Sequence, residues 1–412
     1  MMTKWLEFGT LFLGFLAYPA FARLVLKGSN THKWWQFATL NCVIYFLLFL
    51  IEDNSGSDYT VDLKSHVYMA GLGFLVYVGS AAVCWLLLKK SELGSPQLLA
   101  AFLSPIALLL VFRYAVNTQL VLAIVGVSYM SLRLCHLVSE VRNEVVEMPT
   151  LVQYFSFAFF PPVMFVGPIT HYSQFLSSIE QNRGSSIDTK QCLLRILVGA
   201  VKFTFLSATL AGITYGAAFL PDGHHHSKLD LLIAVAVYPL YLYCNFSGLC
   251  DLAIGASGLC GVQVMENFDR PFSSRNFQEF WTRWHISLSQ LMRDLVFTPM
   301  VKGITRKFGA ASLAYATAAG IMTVFVLIGA WHGLTLNFLL FGLSQGLGVV
   351  FVFCCGNLLK KRLGKQRYLS FRRSKILNVS GMFATYSYFA ITLFLFANTM
   401  SQSRLILISL RQ

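Results

Sequence analysis

The chain has 412 residues, 56% hydrophobic and only 12% charged, against roughly 25% charged in an ordinary soluble domain. That balance excludes a soluble globular enzyme, and the long, uneven apolar runs exclude the weak alternation of an outer-membrane barrel. The formal charge of +14 is not a nucleic-acid signature, because eight of the 32 basic residues crowd into one acid-free stretch. These are Lys360, Lys361, Arg362, Lys365, Arg367, Arg372, Arg373 and Lys375, the pattern that the positive-inside rule gives to a cytoplasmic loop. Contact with anionic lipid headgroups would accompany it. The expected class is an all-α polytopic membrane protein forming a single domain over 1–412.

In chain order, the first apolar run covers 5–26. Lys4 and Ala20-Phe21-Ala22 resemble a cleavable signal, but Arg23, Lys27 and Lys33 follow directly and favour an uncleaved first helix. Further spans are predicted at 34–51, 67–88, 98–112, 118–138, 150–170, 193–220, 229–254, 311–330, 335–356 and 376–398, about eleven in all. The basic loop after the first span is placed inside, the next loop (Glu52, Asp53, Asp58, Asp62) outside, and Lys89 and Lys90 inside again. This alternation puts both termini outside and 357–375 inside. Arg133 and His136 close the span 118–138 and read as interfacial.

Two regions break the helical pattern. Residues 158–169 are apolar yet hold Pro161, Pro162 and Pro168, so a re-entrant element buried in protein is expected. The second region, 263–300, opens with a turn-like segment and continues as an amphipathic helix from about Asn276 to Thr298. On it Trp281, Trp284, His285, Leu288, Met292 and Leu295 share one face, and Glu279 can pair with Arg283. His285 therefore reads either as a functional imidazole or as part of an interfacial tryptophan belt.

His332 stands in the nearly uncharged stretch from Ala311 to Asn357, within Trp331-His332-Gly333. An ionisable group at membrane depth is expensive and commonly functional. Gly329 and Gly333 would permit close helix approach or a local break. A neutral imidazole facing a narrow wet tunnel is a suitable general base for a hydroxyl nucleophile. Asn245 and Asp251 interrupt another span and either line a cavity or bond neighbouring helices. His224-His225-His226 lacks carboxylate or thiolate support, so no metal site is expected. The nine cysteines show no metal-ligand spacing and read as small buried hydrophobes.

Six segments carry a resemblance. Glu266-Asn267-Phe268-Asp269-Arg270-Pro271-Phe272, then Glu279 through Ser289 (Trp281-Thr282-Arg283-Trp284-His285 at its centre), then Arg293-Asp294, resemble the bacterial membrane-bound O-acyltransferase (MBOAT) family. Gly329-Ala330-Trp331-His332-Gly333 resembles that family's second signature. Gly167-Pro168-Ile169 and Asn245-Phe246-Ser247-Gly248 also fit, so that the signature core runs from about 127 to 350. Within the family the chain is similar both to the alginate O-acetyltransferase group and to the teichoic acid D-alanyl transferases. Leu249-Cys250 departs from the usual Tyr-Ser before Asp251.

The resemblance implies a ring of helices, with interfacial and re-entrant helices, around a central tunnel in the bacterial inner membrane. It implies His332 as the catalytic histidine and His285 as its counterpart on the donor side. Trp331, Trp284, Arg283, Asn267, Asn245 and Asp251 would line or shape the tunnel. No bound cofactor is implied. An acyl thioester, acetyl-CoA or an acyl carrier protein, would serve as substrate on the cytoplasmic side, and the basic 357–375 stretch could steer an acidic carrier. The acceptor would be a hydroxyl of an exported polysaccharide, reached directly or through an extracytoplasmic partner. Three competing readings are D-alanyl transfer towards teichoic acid, a long-chain lipid acyltransferase and a proton-coupled transporter. The last is disfavoured by the lack of internal repeats.

Overall fold

The computed structural model describes residues 18–26, 32–52, 63–92, 94–115, 126–164, 166–181, 188–215 and 227–409. Among them the regular structure is helical, apart from one isolated antiparallel bridge between Phe268 and Trp284. Among the described residues, six stretches are long and apolar enough to cross a membrane: Gly71–Lys89, Thr189–Ala211, Lys228–Cys260, Ala310–His332, Leu336–Ser370 and Lys375–Ala397. The chain is therefore a multi-pass helical protein. The expected first span reaches into 5–17 and the fifth into 118–125, which lie outside the described residues, as does His224-His225-His226.

The chain forms two compact units, Met1–Gly199 with Leu249–Met265, and Ala200–Gly248 with Glu266–Gln412. In the first unit the predicted span 150–170 is not a continuous helix. Thr150 and Gln153 cap a short helix, Leu151–Ala158, in a reciprocal capping box. The prolines then force a 3₁₀ turn at Pro161–Val163, followed by non-helical backbone. Residues 167–170 are buried, as expected of irregular backbone that protein must shelter. The surrounding core is aromatic, with Phe37, Tyr77, Tyr154, Phe157, Phe159, Phe160, Tyr172 and Phe175 almost wholly enclosed.

Arg133 and His136, expected at the membrane interface, are shut inside the protein. Both lie on the helix Val127–Arg142 and are buried, at 2% and 5% exposure. The reason is the broken helix beside them. Arg133 donates from Nη2 to the Phe157 carbonyl, at the end of the short helix, and its guanidinium lies 4.2 Å from the Phe157 ring centroid. Two turns on, buried Glu140 accepts from the backbone N–H of Tyr172 (2.9 Å) and of Ser173 (3.3 Å), capping the helix Tyr172–Gln181. His136 Nδ1 sits 3.4 Å from the same carboxylate and stacks on His171, with ring centroids 3.8 Å apart.

In the second unit the helices Leu313–His332 and Leu336–Arg373 run as a hairpin. Gly329 meets Gly342 at the crossing, where a Cβ on either would overlap a carbonyl oxygen of the opposite helix, from Phe338 and Phe325 respectively. In a bilayer such close backbone approach supplies packing that the hydrophobic effect cannot. The basic stretch 357–375 is also not a loop. Helix continues to Arg373, broken only where Gly364 takes φ 74°, because Lys, Arg, Leu and Gln are good helix formers and no proline intervenes.

Replacing Glu140 by Ala strips two N–H groups, on Tyr172 and Ser173, of their carboxylate acceptor, at a cost of about 1–3 kcal/mol. The thermal unfolding midpoint of the detergent-solubilised protein should fall clearly for Glu140→Ala and only slightly for Ser173→Ala. Equal midpoints for Glu140→Ala and the unaltered protein would show that the cap contributes nothing.

Candidate active site

The predicted amphipathic helix over 276–298 does not form as one piece. Asn276 caps a helix Phe277–Arg283, a second helix runs Ile286–Met292, and a π-helical turn, Arg293–Phe297, follows. Between the first two, Trp284 is extended and His285 takes the left-handed conformation, φ 47° and ψ 53°. For a non-glycine residue that conformation costs roughly 1–2 kcal/mol, so its surroundings must hold it.

Those surroundings come from the other signature block. Phe268 bridges to Trp284, the Asp269 N–H donates to the Arg283 carbonyl (3.0 Å), and the Ile286 N–H donates to the Asn267 carbonyl (3.0 Å). The buried Asn267 side chain completes the clip. Its Oδ1 accepts from the Ser287 N–H (3.1 Å) and the Ser287 hydroxyl (2.6 Å), and lies 3.4 Å from His285 Nδ1. The segment around Asn267 thus fixes the backbone on both sides of His285 and touches its ring.

His332 is the last residue of its helix, which ends at Gly333. Its ring meets Phe396 edge-on at 5.0 Å and Phe338 at 6.2 Å. His285 is 4% exposed and has Phe246 edge-on at 4.7 Å. Both imidazoles line one cavity of about 60 Å³, whose other walls include Phe246, Trp281, Trp284, Phe389 and Phe396. Aromatic and aliphatic side chains make up the rest of the lining, so the two imidazoles and the two indoles supply its polar side-chain groups. At roughly 30 Å³ of liquid volume per water, the space suits a few small groups. Burial, followed by the neighbouring His332, pushes the His285 pKa down to about 3.

The other predicted residues divide. Trp284 lines the cavity, stacked on Phe280 at 5.5 Å. Asn267 positions His285 rather than lining anything beside it. Trp331 packs 4.7 Å from the His332 ring and 6.4 Å from that of His285, outside the lining. Arg283 points elsewhere: it donates to Glu279 (2.8 Å), the expected pair, and to the Ser273 hydroxyl (2.9 Å). Its helix ends there, and the extended step at Trp284 sends the next side chain inward. Asn245 is half-buried on the helix Lys228–Cys260, one residue before Phe246, so the helical step of about 100° turns it off the cavity. Asp251 belongs to the first unit and accepts a 3.0 Å ion pair from Arg195.

Sequence reading missed Phe246, Phe341, Phe389 and Phe396 as walls of the cavity. Nothing local marks an aromatic residue in an apolar span as inward-facing. The role of Ser287 was legible only as part of a motif, not as Asn267's partner.

The model of the MBOAT, membrane-bound O-acyltransferase family matches residues 35–397. The chain is 29% identical over 256 residues to the teichoic acid D-alanyltransferase of Bacillus subtilis, covering 61% of this chain and 63% of that protein. It is 26% identical over 223 residues to the "Probable alginate O-acetylase" of Azotobacter vinelandii, covering 54% and 43%. Identity to the peptidoglycan O-acetyltransferase of Helicobacter pylori is 26% over 202 residues, covering 48% and 36%. The matched stretch is thus less than two thirds of the length of each of these relatives.

With its pKa lowered from 6.5 to about 3, His285 stays neutral across the physiological range. The unfolded chain binds that proton below pH 6.5 and the folded one does not, so this group's contribution to stability is present above pH 6.5 and declines below it. Nitrogen-15 spectra of labelled imidazoles should show His285 neutral from pH 8 down to pH 5. A titration midpoint near 6 would refute the burial.

Proposed function

Because this chain belongs to the membrane-bound O-acyltransferase family, we propose that it moves a small acyl group from a thioester donor to a hydroxyl of a cell-envelope polymer. The observation that carries this reading is the pairing of two imidazoles in one small, largely aromatic cavity within the family's matched region. The acceptor oxygen attacks the thioester carbonyl while its proton passes to an imidazole. The thiolate then leaves and regains a proton as the tetrahedral centre collapses. His332, half-buried at a helix end, is assigned the base. A proton on His285 Nδ1 directed at Asn267 Oδ1 would leave Nε2 as the basic nitrogen, and His285 is placed on the donor side.

Cavity size favours a short acyl group over a lipid chain, and acetyl is the first choice. D-alanyl transfer is the second reading. It is favoured by the teichoic acid D-alanyltransferases, 29% identical in Bacillus subtilis and 30% in Streptococcus thermophilus. Family membership leaves the transporter reading without support. The donor would be acetyl-CoA or a carrier protein on the basic, cytoplasmic side, with a polysaccharide or a secreted partner on the other.

General-base assistance is worth about 10² to 10⁴ in rate. His332→Ala should lower acyl transfer by at least about 10²-fold in proteoliposomes, with an unchanged elution profile. Full activity in that variant would remove His332 from the chemistry. Offering acetyl-CoA and a D-alanyl carrier protein as alternative donors separates the two readings, since the true donor alone should be consumed.

A further inference from the structure

A second cavity, of about 790 Å³, opens in the second unit against the helix Phe277–Arg283 and the helices Leu336–Arg373 and Lys375–Ala397. Its wall has two chemically distinct halves. One carries Arg275, Arg283, Lys360 and Arg372, with Glu279 the one acidic side chain in the lining. Glu279 is engaged by both neighbouring guanidiniums, at 3.0 Å from Arg275 Nε and 2.8 Å from Arg283 Nη2. Four cations against one carboxylate leave the lining with a net charge of +3.

The other half is apolar and belongs to membrane-spanning helices. Phe351 is 69% exposed, Leu377 is 40% exposed, and Leu347, one turn before Phe351, is also exposed. Exposed apolar side chains on a span face acyl chains, whereas Lys360 and Arg372, towards the basic end of the helix that carries Phe351, belong at headgroup level. Arg forks match phosphate oxygens. A phosphate carried on an acyl chain satisfies both halves at once. A soluble phosphate compound satisfies only the basic one.

We propose that this cavity is a binding site for an anionic phospholipid. The phosphate sits among Arg275, Arg283, Lys360 and Arg372, and an acyl chain runs along Phe351. Nothing in this assignment depends on acyl transfer, and no residue in it lines the imidazole cavity. The site also gives the acid-free 357–375 stretch a specific ligand beyond its role in setting topology.

Native mass spectrometry on the full-length protein in mild detergent tests this, using phosphatidylglycerol and phosphatidylcholine with matched chains. The wild type should bind phosphatidylglycerol at least about fivefold more tightly, and the double substitution Lys360→Gln with Arg372→Gln should erase that preference, a loss of about fivefold or more. The charge-matched control Lys89→Gln with Lys90→Gln should keep it. Because the double variant could misfold, Arg372→Lys provides a second arm and should keep the preference for phosphatidylglycerol through its retained charge, with weaker binding through its lost fork. Equal affinity of the wild type for both lipids would overturn the proposal, as would a preference that survives the double substitution. Displacement of phosphatidylglycerol by coenzyme A would overturn it too, by assigning the cavity to the donor's phosphates.

Discussion

A backbone polar group shut away from water must find a partner inside the chain, and this constraint organises the molecule wherever a helix stops. Within uninterrupted spans the helix satisfies itself. At three breaks a buried side chain takes over. Arg133 serves the carbonyl of Phe157 where proline ends a helix, and Glu140 serves the N–H groups of Tyr172 and Ser173 where the next helix begins. Asn267 does the same for Ser287 beside the left-handed turn. Each is an expensive polar group to bury, and each offsets its desolvation by satisfying backbone atoms that would otherwise be orphaned.

The last of these breaks creates the candidate site. A continuous helix through 276–298 would have put Trp284 and His285 side by side on a face with Trp281. Stopping the helix at Arg283 and inserting one extended and one left-handed residue turns Trp284 and His285 into the interior, while Arg283 stays with Glu279. The opposing imidazole arrives by a different device. His332 closes a helix whose tight crossing at Gly329 and Gly342 draws the following helix close enough for Phe338 and Phe341 to pack around it. Phe389 and Phe396, from Lys375–Ala397, complete the enclosure.

A site of this kind combines bases with a low-dielectric wall. Aromatic packing encloses His285, and burial holds it neutral while lowering its basicity. The relatives are named for D-alanyl and acetyl transfer to teichoic acid, alginate and peptidoglycan, chemistries that differ in acyl group and acceptor. Acetyl and D-alanyl are both small acyl groups.

Much of this was legible without coordinates. Composition alone dictated a multi-pass helical membrane protein, because so few charges cannot coat a soluble surface. The proline cluster at 158–169 announced a broken, sheltered backbone, and the motif blocks carried the family and both histidines. The misreadings share one cause. The stretch 357–375 read as a loop and 276–298 as one helix because local pattern reports propensity, not the partners a distant segment supplies. Hydrophobic periodicity is a property of neighbours along the chain. It fixed which segments are helical and which residues are chemically unusual. Only the tertiary structure decided that Asn267 would hold His285 in a left-handed turn, that Arg283 would turn away, and that four phenylalanines would close one cavity around two imidazoles. Those outcomes depend on hydrogen bonds and ring contacts between segments that the sequence keeps apart.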